Sequence, residues 1–150
     1  MAISGEDMTT TDKRGFRVRA LGEIAIRCTD FDAMVAFYSR IIGLDRLEGN
    51  TSPDITFFRI AEGYGGHITV LALFRAPPGS AAAGPTSSLH HLALTIAADE
   101  QEAAMRWYER NGIAYRVEEF GWVGWRGVFT EDPEGNTVEL VAYHPDLTAP

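Results

Sequence analysis

The feature that most constrains this chain is that it is written twice. Leu21-Gly-Glu-Ile-Ala-Ile-Arg-Cys28 aligns with Leu89-His-His-Leu-Ala-Leu-Thr-Ile96, and Phe37-Tyr38-Ser39-Arg40 aligns with Trp107-Tyr108-Glu109-Arg110. Gly43-Leu44 matches Gly112-Ile113, and residues Ile60 to Phe74 match Phe129 to Tyr143 without a gap. The offsets are 68, 70 and 69, so small insertions and deletions fall between elements. A period this long with only two copies excludes a solenoid and implies a duplicated α+β module.

Each copy predicts the order βαβββ. Ile24, Ile26 and Cys28 alternate with Glu23, Ala25 and Arg27, as Leu92, Leu94 and Ile96 alternate with His91, Ala93 and Thr95. A helix follows, capped by Asp30 or Asp32, with Met34, Phe37, Tyr38 and Ile41 or Ile42 at helical spacing. Its counterpart spans about Asp99 to Asn111, with Ala103, Ala104, Trp107 and Tyr108 as the apolar stripe and Gly112 ending it. Further strands fall near Arg46–Leu47, Ile55–Ala61 and His67–Phe74, then near Ala114–Phe120, Gly127–Thr130 and Thr137–Tyr143. The expected division is a mobile tail over 1–17, module one over 18–74, a Pro/Gly/Ala/Ser linker over 75–88, module two over 89–143 and a C-terminal tail over 144–150.

Composition narrows the function classes. The net charge is −8 with Lys13 the single lysine, which argues against a nucleic-acid partner and an anionic membrane surface. The longest apolar run, Ile68 to Phe74 with Thr69 inside it, is far short of the roughly 20 residues that cross a bilayer, and the first residues lack the apolar core of a secretory signal. Cys28 is the only cysteine, so no intrachain disulfide forms and a cytoplasmic location is expected.

Three features carry a family resemblance: Ala36-Phe37-Tyr38 continuing to Ile42-Gly43-Leu44, the repeat itself, and Glu131-Asp132-Pro133-Glu134-Gly135-Asn136-Thr137-Val138-Glu139-Leu140. Together they resemble the vicinal oxygen chelate superfamily, which includes glyoxalase I, methylmalonyl-CoA epimerase, extradiol dioxygenases, and fosfomycin- and bleomycin-resistance proteins. The resemblance covers about Ala20 to Tyr143 and defines one domain of that type over 18–146. It implies a cupped mixed, mostly antiparallel sheet with helices outside, a small-molecule substrate or ligand, and a homodimer. In the Asp132–Asn136 turn Pro133 presets φ, Gly135 supplies positive φ, and the turn launches the strand that presents Glu139.

The resemblance places metal ligands on the first and last strands of each module, at Glu23, Val70, His91 and Glu139. Val70 cannot ligate, which leaves Glu23, His91 and Glu139 for one divalent ion: Zn, Mn, Fe, Ni or Co. Strand parity agrees, since Glu23 and His91 stand opposite the apolar set and Glu139 alternates with Val138 and Leu140. The plainer alternative pairs Glu23 with Arg27 and leaves His91 and Glu139 hydrogen-bonded. His67, three positions before Val70, would ligate only through a bulge or a register slip. His90 has the parity opposite to His91 and is expected at a dimer seam or the outer face; His144 is expected exposed. Arg27 either clamps an anionic substrate group or compensates Glu23. Phe57, Tyr115, Trp122, Trp125 and Tyr143, with Val70, are expected to line the cavity.

Three activities compete. In a metal-dependent isomerase, epimerase or lyase similar to glyoxalase I, Glu23 or Glu139 moves the proton while the other stays on the metal. An extradiol-type dioxygenase explains Val70, but has His where Glu23 stands and Tyr where Phe129 stands, and no histidine lies between His91 and His144. A metal-free binding protein of the bleomycin-resistance type needs only an acidic, aromatic groove.

Overall fold

The computed structural model describes residues 14–80 and 87–148. Most of the expected N-terminal tail and the centre of the expected linker lie outside the described residues. Module one runs β1 (Glu23–Cys28), α1 (Phe31–Ala36), β2 (Asp45–Arg46), β3 (Ile55–Tyr64) and β4 (His67–Arg75). Module two runs β5 (Leu92–Thr95), α2 (Gln101–Arg110), β6 (Arg116–Phe120), β7 (Trp125–Glu131) and β8 (Thr137–Tyr143). The strands form two four-stranded sheets of matching order, β1-β4-β3-β2 and β5-β8-β7-β6. In each, the first strand pairs parallel with the last and the other pairings are antiparallel. Among the described residues no strand of one sheet hydrogen-bonds to a strand of the other.

Alternation works as elementary strand geometry requires. Ile26, Cys28, Phe58, Leu71 and Leu73 of the first sheet and Leu92, Leu94, Val128, Val138 and Leu140 of the second enter one hydrophobic cluster with Phe31, Met34, Phe37, Tyr38 and Tyr108 from the helices. The helix-bearing faces of both modules therefore share a single core, and each sheet keeps its other face open. Asp30 caps α1 through Ala33 N at 3.2 Å, and the helix continues as a π-helical turn over Phe37–Ile41 that buries Phe37 and Tyr38 side by side.

The α2 stripe is rotated by one position from the expected one. Gln101, Ala104, Met105 and Tyr108 face the core, while Ala103 is exposed and Trp107 is 38% exposed. Gln101 can occupy a fully buried position because its amide is satisfied: Nε2 donates to Arg126 O at 2.7 Å and to Leu140 O at 3.2 Å, and Oε1 accepts from Arg126 Nε at 2.9 Å. His144, expected exposed, is half-buried against the same Oε1 at 2.7 Å. Trp107 turns instead to module one, where its Nε1 donates to Ile41 O at 2.9 Å.

The Asp132–Asn136 turn also holds the modules together. Gly135 has φ +84°, as the turn demands. Asp132 Oδ1 accepts from Glu134 N and Asn136 N, and its Oδ2 accepts from Asn136 Nδ2 and, at 2.7 Å, from Tyr38 Oη. Glu134 reaches back to module one, accepting from Thr29 N, Thr29 Oγ1 and Asp30 N. Every one of these carboxylate bonds removes a buried charge's cost by giving it donors. Among the described residues no helix is long and apolar enough to cross a membrane.

Candidate functional site

The open face of the second sheet carries the candidate site. Cross-strand register sets Arg116, Phe129, Glu139 and Ala93 in one row across β6, β7, β8 and β5. Glu139 is buried at 5% exposure, and its Oε1 lies 3.2 Å from His91 Nε2. Burial pushes the Glu139 carboxyl up from its ordinary value, opposed by the neighbouring His91. Its room is made by Gly127: a Cβ there would stand 2.2 Å from Glu139 Oε2. The ring of Phe129 lies 6.1 Å from that of His91, and the Arg116 guanidinium sits 4.4 Å over the Phe129 ring and pairs with Glu118. A cleft of about 500 Å³ adjoins this row, with Arg116, Phe129, Glu131 and Thr137 in its wall.

His91 and Glu139 are thus brought together, on the face the sequence assigned them. Glu23 stands on the open face of the other sheet, opposite Val70 in register. Among the described residues no three His, Cys, Asp or Glu side chains converge as metal ligands, and the Glu23 and Arg27 side chains have neither an ion pair with each other nor another hydrogen bond. His67 lies against Gly22, its Nδ1 2.8 Å from Ile68 O, outside the cluster.

The substrate-lining expectations divide. Arg27 is paired in register with Phe74, Phe57 packs edge-on to Phe74 at 6.4 Å, and Val70 is buried, all on the open face of the first sheet. Trp125 and Tyr143 face each other across β7 and β8 on the open face of the second, 47% and 59% exposed, with Trp122 6.4 Å from Trp125. Tyr115 lies in the wall of the cleft beside Arg116; its ring is 6.0 Å from that of Tyr108 in the helix layer and its hydroxyl donates to Glu109 at 2.5 Å. Sequence reasoning did not place Arg116, Phe129, Gly127 or His90 in the site. Parity along β6 and β7 could have found the first three; His90 could not be found that way, because it precedes the strand and escapes alternation.

The model of the Glyoxalase/Bleomycin resistance protein/Dioxygenase superfamily matches residues 20–140. No curated protein matches the chain. Among solved structures, a glyoxalase/dioxygenase from Nostoc punctiforme is similar with 23% identity and TM-score 0.66, over 95% of this chain and 97% of that one. A lactoylglutathione lyase from Agrobacterium tumefaciens has 23% identity and TM-score 0.60, over 82% and 92% of the two chains. A fosfomycin resistance protein from Listeria monocytogenes has 16% identity and TM-score 0.63, over 89% and 100%. At these identities the likeness to solved structures is one of fold.

Proposed function

The chain belongs to the Glyoxalase/Bleomycin resistance protein/Dioxygenase superfamily, and on that premise we propose that it is a divalent-metal-dependent enzyme. It acts on a small molecule bearing neighbouring oxygens, by proton transfer of the glyoxalase, epimerase or lyase kind. The observation that carries this reading is the pairing of exposed His91 with buried Glu139. Two donors bound to one ion at about 2.0–2.2 Å, meeting at roughly 90–110°, stand about 2.8–3.6 Å apart. His91 Nε2 and Glu139 Oε1 are 3.2 Å apart, so the pair fits two positions of one coordination shell. A Zn, Mn, Fe, Ni or Co ion there would supply Lewis-acid polarisation of the substrate's oxygens.

The third ligand in this reading is Glu23 from a second copy of the chain. Within one chain the modules share a core through their helix-bearing faces, which leaves Glu23, exposed and without a side-chain partner among the described residues, on an open face of its own. A homodimer that sets the open face of one copy's first sheet against the open face of the other's second would bring three donors together. Glu139, whose environment favours its protonated form, or Glu23 moves the proton, the other remaining a ligand. Trp125 and Tyr143 lie four residues along from the Phe129–Glu139 row, roughly 13 Å at strand rise, and form the far wall for the substrate's body. The only cysteine, Cys28, is buried with its thiol pushed up to about 12, which suits a cytoplasmic protein.

Complementation tests this arrangement. Glu23→Gln and Glu139→Gln homodimers are each expected to lose zinc or manganese. A hybrid of the two carries one intact site and one doubly altered site, so it should recover half the wild-type metal content and activity. A hybrid no better than its parents overturns the shared site. The exposed aromatic wall of Trp122, Trp125 and Tyr143 favours a second reading, a metal-free small-molecule binding protein. A wild type purified without chelator that holds no metal, and gains no thermal stability from Zn, Mn, Fe, Ni or Co, selects it.

A further inference from the structure

We propose that His90 is a positioning residue for the centre: its Nδ1 accepts a hydrogen bond from His91 Nδ1–H and so keeps His91 Nε2 free to ligate. This inference rests on the metal-dependent reading above. The two Nδ1 atoms lie 2.8 Å apart, with the rings crossed at 75° and their centroids 5.1 Å apart. Sequence parity put His90 at a dimer seam or the outer face; the exposed ring meets that of His91. Successive residues of a paired strand point to opposite faces, which would separate these rings. The contact exists because β5 begins only at Leu92, so the chain at His90 is unpaired and alternation does not fix the direction of its ring.

The tautomers follow from counting protons. Two Nδ1 atoms at hydrogen-bond distance need one proton and one lone pair between them. If His90 donates, neutral His91 carries its proton on Nε2, and that nitrogen is closed to a metal. If His91 donates, Nε2 is free to present its lone pair to a metal, which takes the place of the proton that its 3.2 Å contact with Glu139 Oε1 otherwise needs, and His90 keeps its own proton on Nε2, at an exposed edge. Only the second set is compatible with His91 as a ligand. Metal-bound histidines are typically held this way, by an acceptor on the other ring nitrogen, and losing that acceptor typically costs 10–100-fold in affinity. Here the acceptor comes from the preceding residue.

The test separates ring packing from hydrogen bonding. His90→Phe keeps an aromatic ring against His91 but has no acceptor. His90→Asn gives up the ring but keeps a δ-position oxygen that can accept. Zn²⁺ affinity is measured by competition with a chromophoric chelator, and the His91 ring is followed by ¹⁵N–¹H correlation in the zinc-loaded protein. His90→Phe is expected to bind Zn²⁺ roughly 10- to 100-fold more weakly, with the His91 Nδ1–H signal lost to solvent exchange. His90→Asn should stay within about threefold of wild type on the same scale and keep that signal. Because His90 is exposed, both metal-free variants should melt with the wild type, so a purely structural role would leave no such split. A His90→Phe protein that binds Zn²⁺ like wild type with the Nδ1–H signal intact overturns the role of His90 and leaves the metal-dependent reading standing. A wild type that binds no Zn²⁺ overturns both.

Discussion

Replacing Gly127 by alanine tests the central claim that Glu139 occupies its place by virtue of a missing side chain. The Cβ would stand 2.2 Å from Glu139 Oε2, 2.9 Å from its Cδ and 2.7 Å from Phe129 Cε2. Ordinary contact needs about 3.4 Å or more, so the carboxylate must withdraw by roughly 1 Å, enough to break its 3.2 Å approach to His91. Overpacking of this kind costs about 1–3 kcal/mol. The loss of a glycine's freedom in the unfolded chain returns about 0.4–1 kcal/mol. The balance is a destabilisation of about 1–2 kcal/mol, or roughly 2–8 °C in Tm for a chain of this size. Chemical denaturation and zinc titration would be run on Gly127→Ala, Glu139→Ala and the double variant. With the carboxylate gone the main clash goes too, so Gly127→Ala should cost at least about 1 kcal/mol less in the Glu139→Ala background. Strict additivity of the two substitutions, or a Gly127→Ala protein with wild-type zinc affinity, would refute the reasoning.

Glu139→Gln probes the raised carboxyl. A folded-state value above the ordinary 4.5 means that the fold holds this proton more tightly than the unfolded chain does. That contribution is complete below about pH 4 and is lost as pH rises through the folded value. Metal-free Glu139→Gln should therefore gain thermal stability over wild type between pH 4 and pH 8; a gap that shrinks as pH rises contradicts this. Tyr38→Phe removes the donor to Asp132 Oδ2 in the buried seam between the modules, and urea unfolding should register a loss of about 1–3 kcal/mol. Gln101→Ala strips donors from Arg126 O and Leu140 O and the partner from His144. It should cost at least about 1–3 kcal/mol, with faster hydrogen exchange at the start of α2; an unchanged midpoint would show that water replaces the amide freely.

The sequence determined whatever depends on the local backbone period. Alternation put Glu23 on one open sheet face and His91 and Glu139 on the other, and the Asp132–Asn136 turn with its glycine fixed where β8 begins. The duplication imposed the same strand order on both sheets. Local pattern says nothing where a strand has not yet started, as at His90, because side-chain direction there follows from where pairing begins. It failed on α2 because a buried glutamine reads as a surface residue until the carbonyls of Arg126 and Leu140 come within reach of its amide. The relation between the modules was decided only in the tertiary structure. It rests on Glu134 meeting Thr29 across 105 positions of chain, on Tyr38 meeting Asp132, and on Trp107 meeting Ile41. No period in a sequence encodes which face of one module meets which face of another. That choice, made through the shared core, is what keeps Glu23 away from His91 and Glu139 in a single chain.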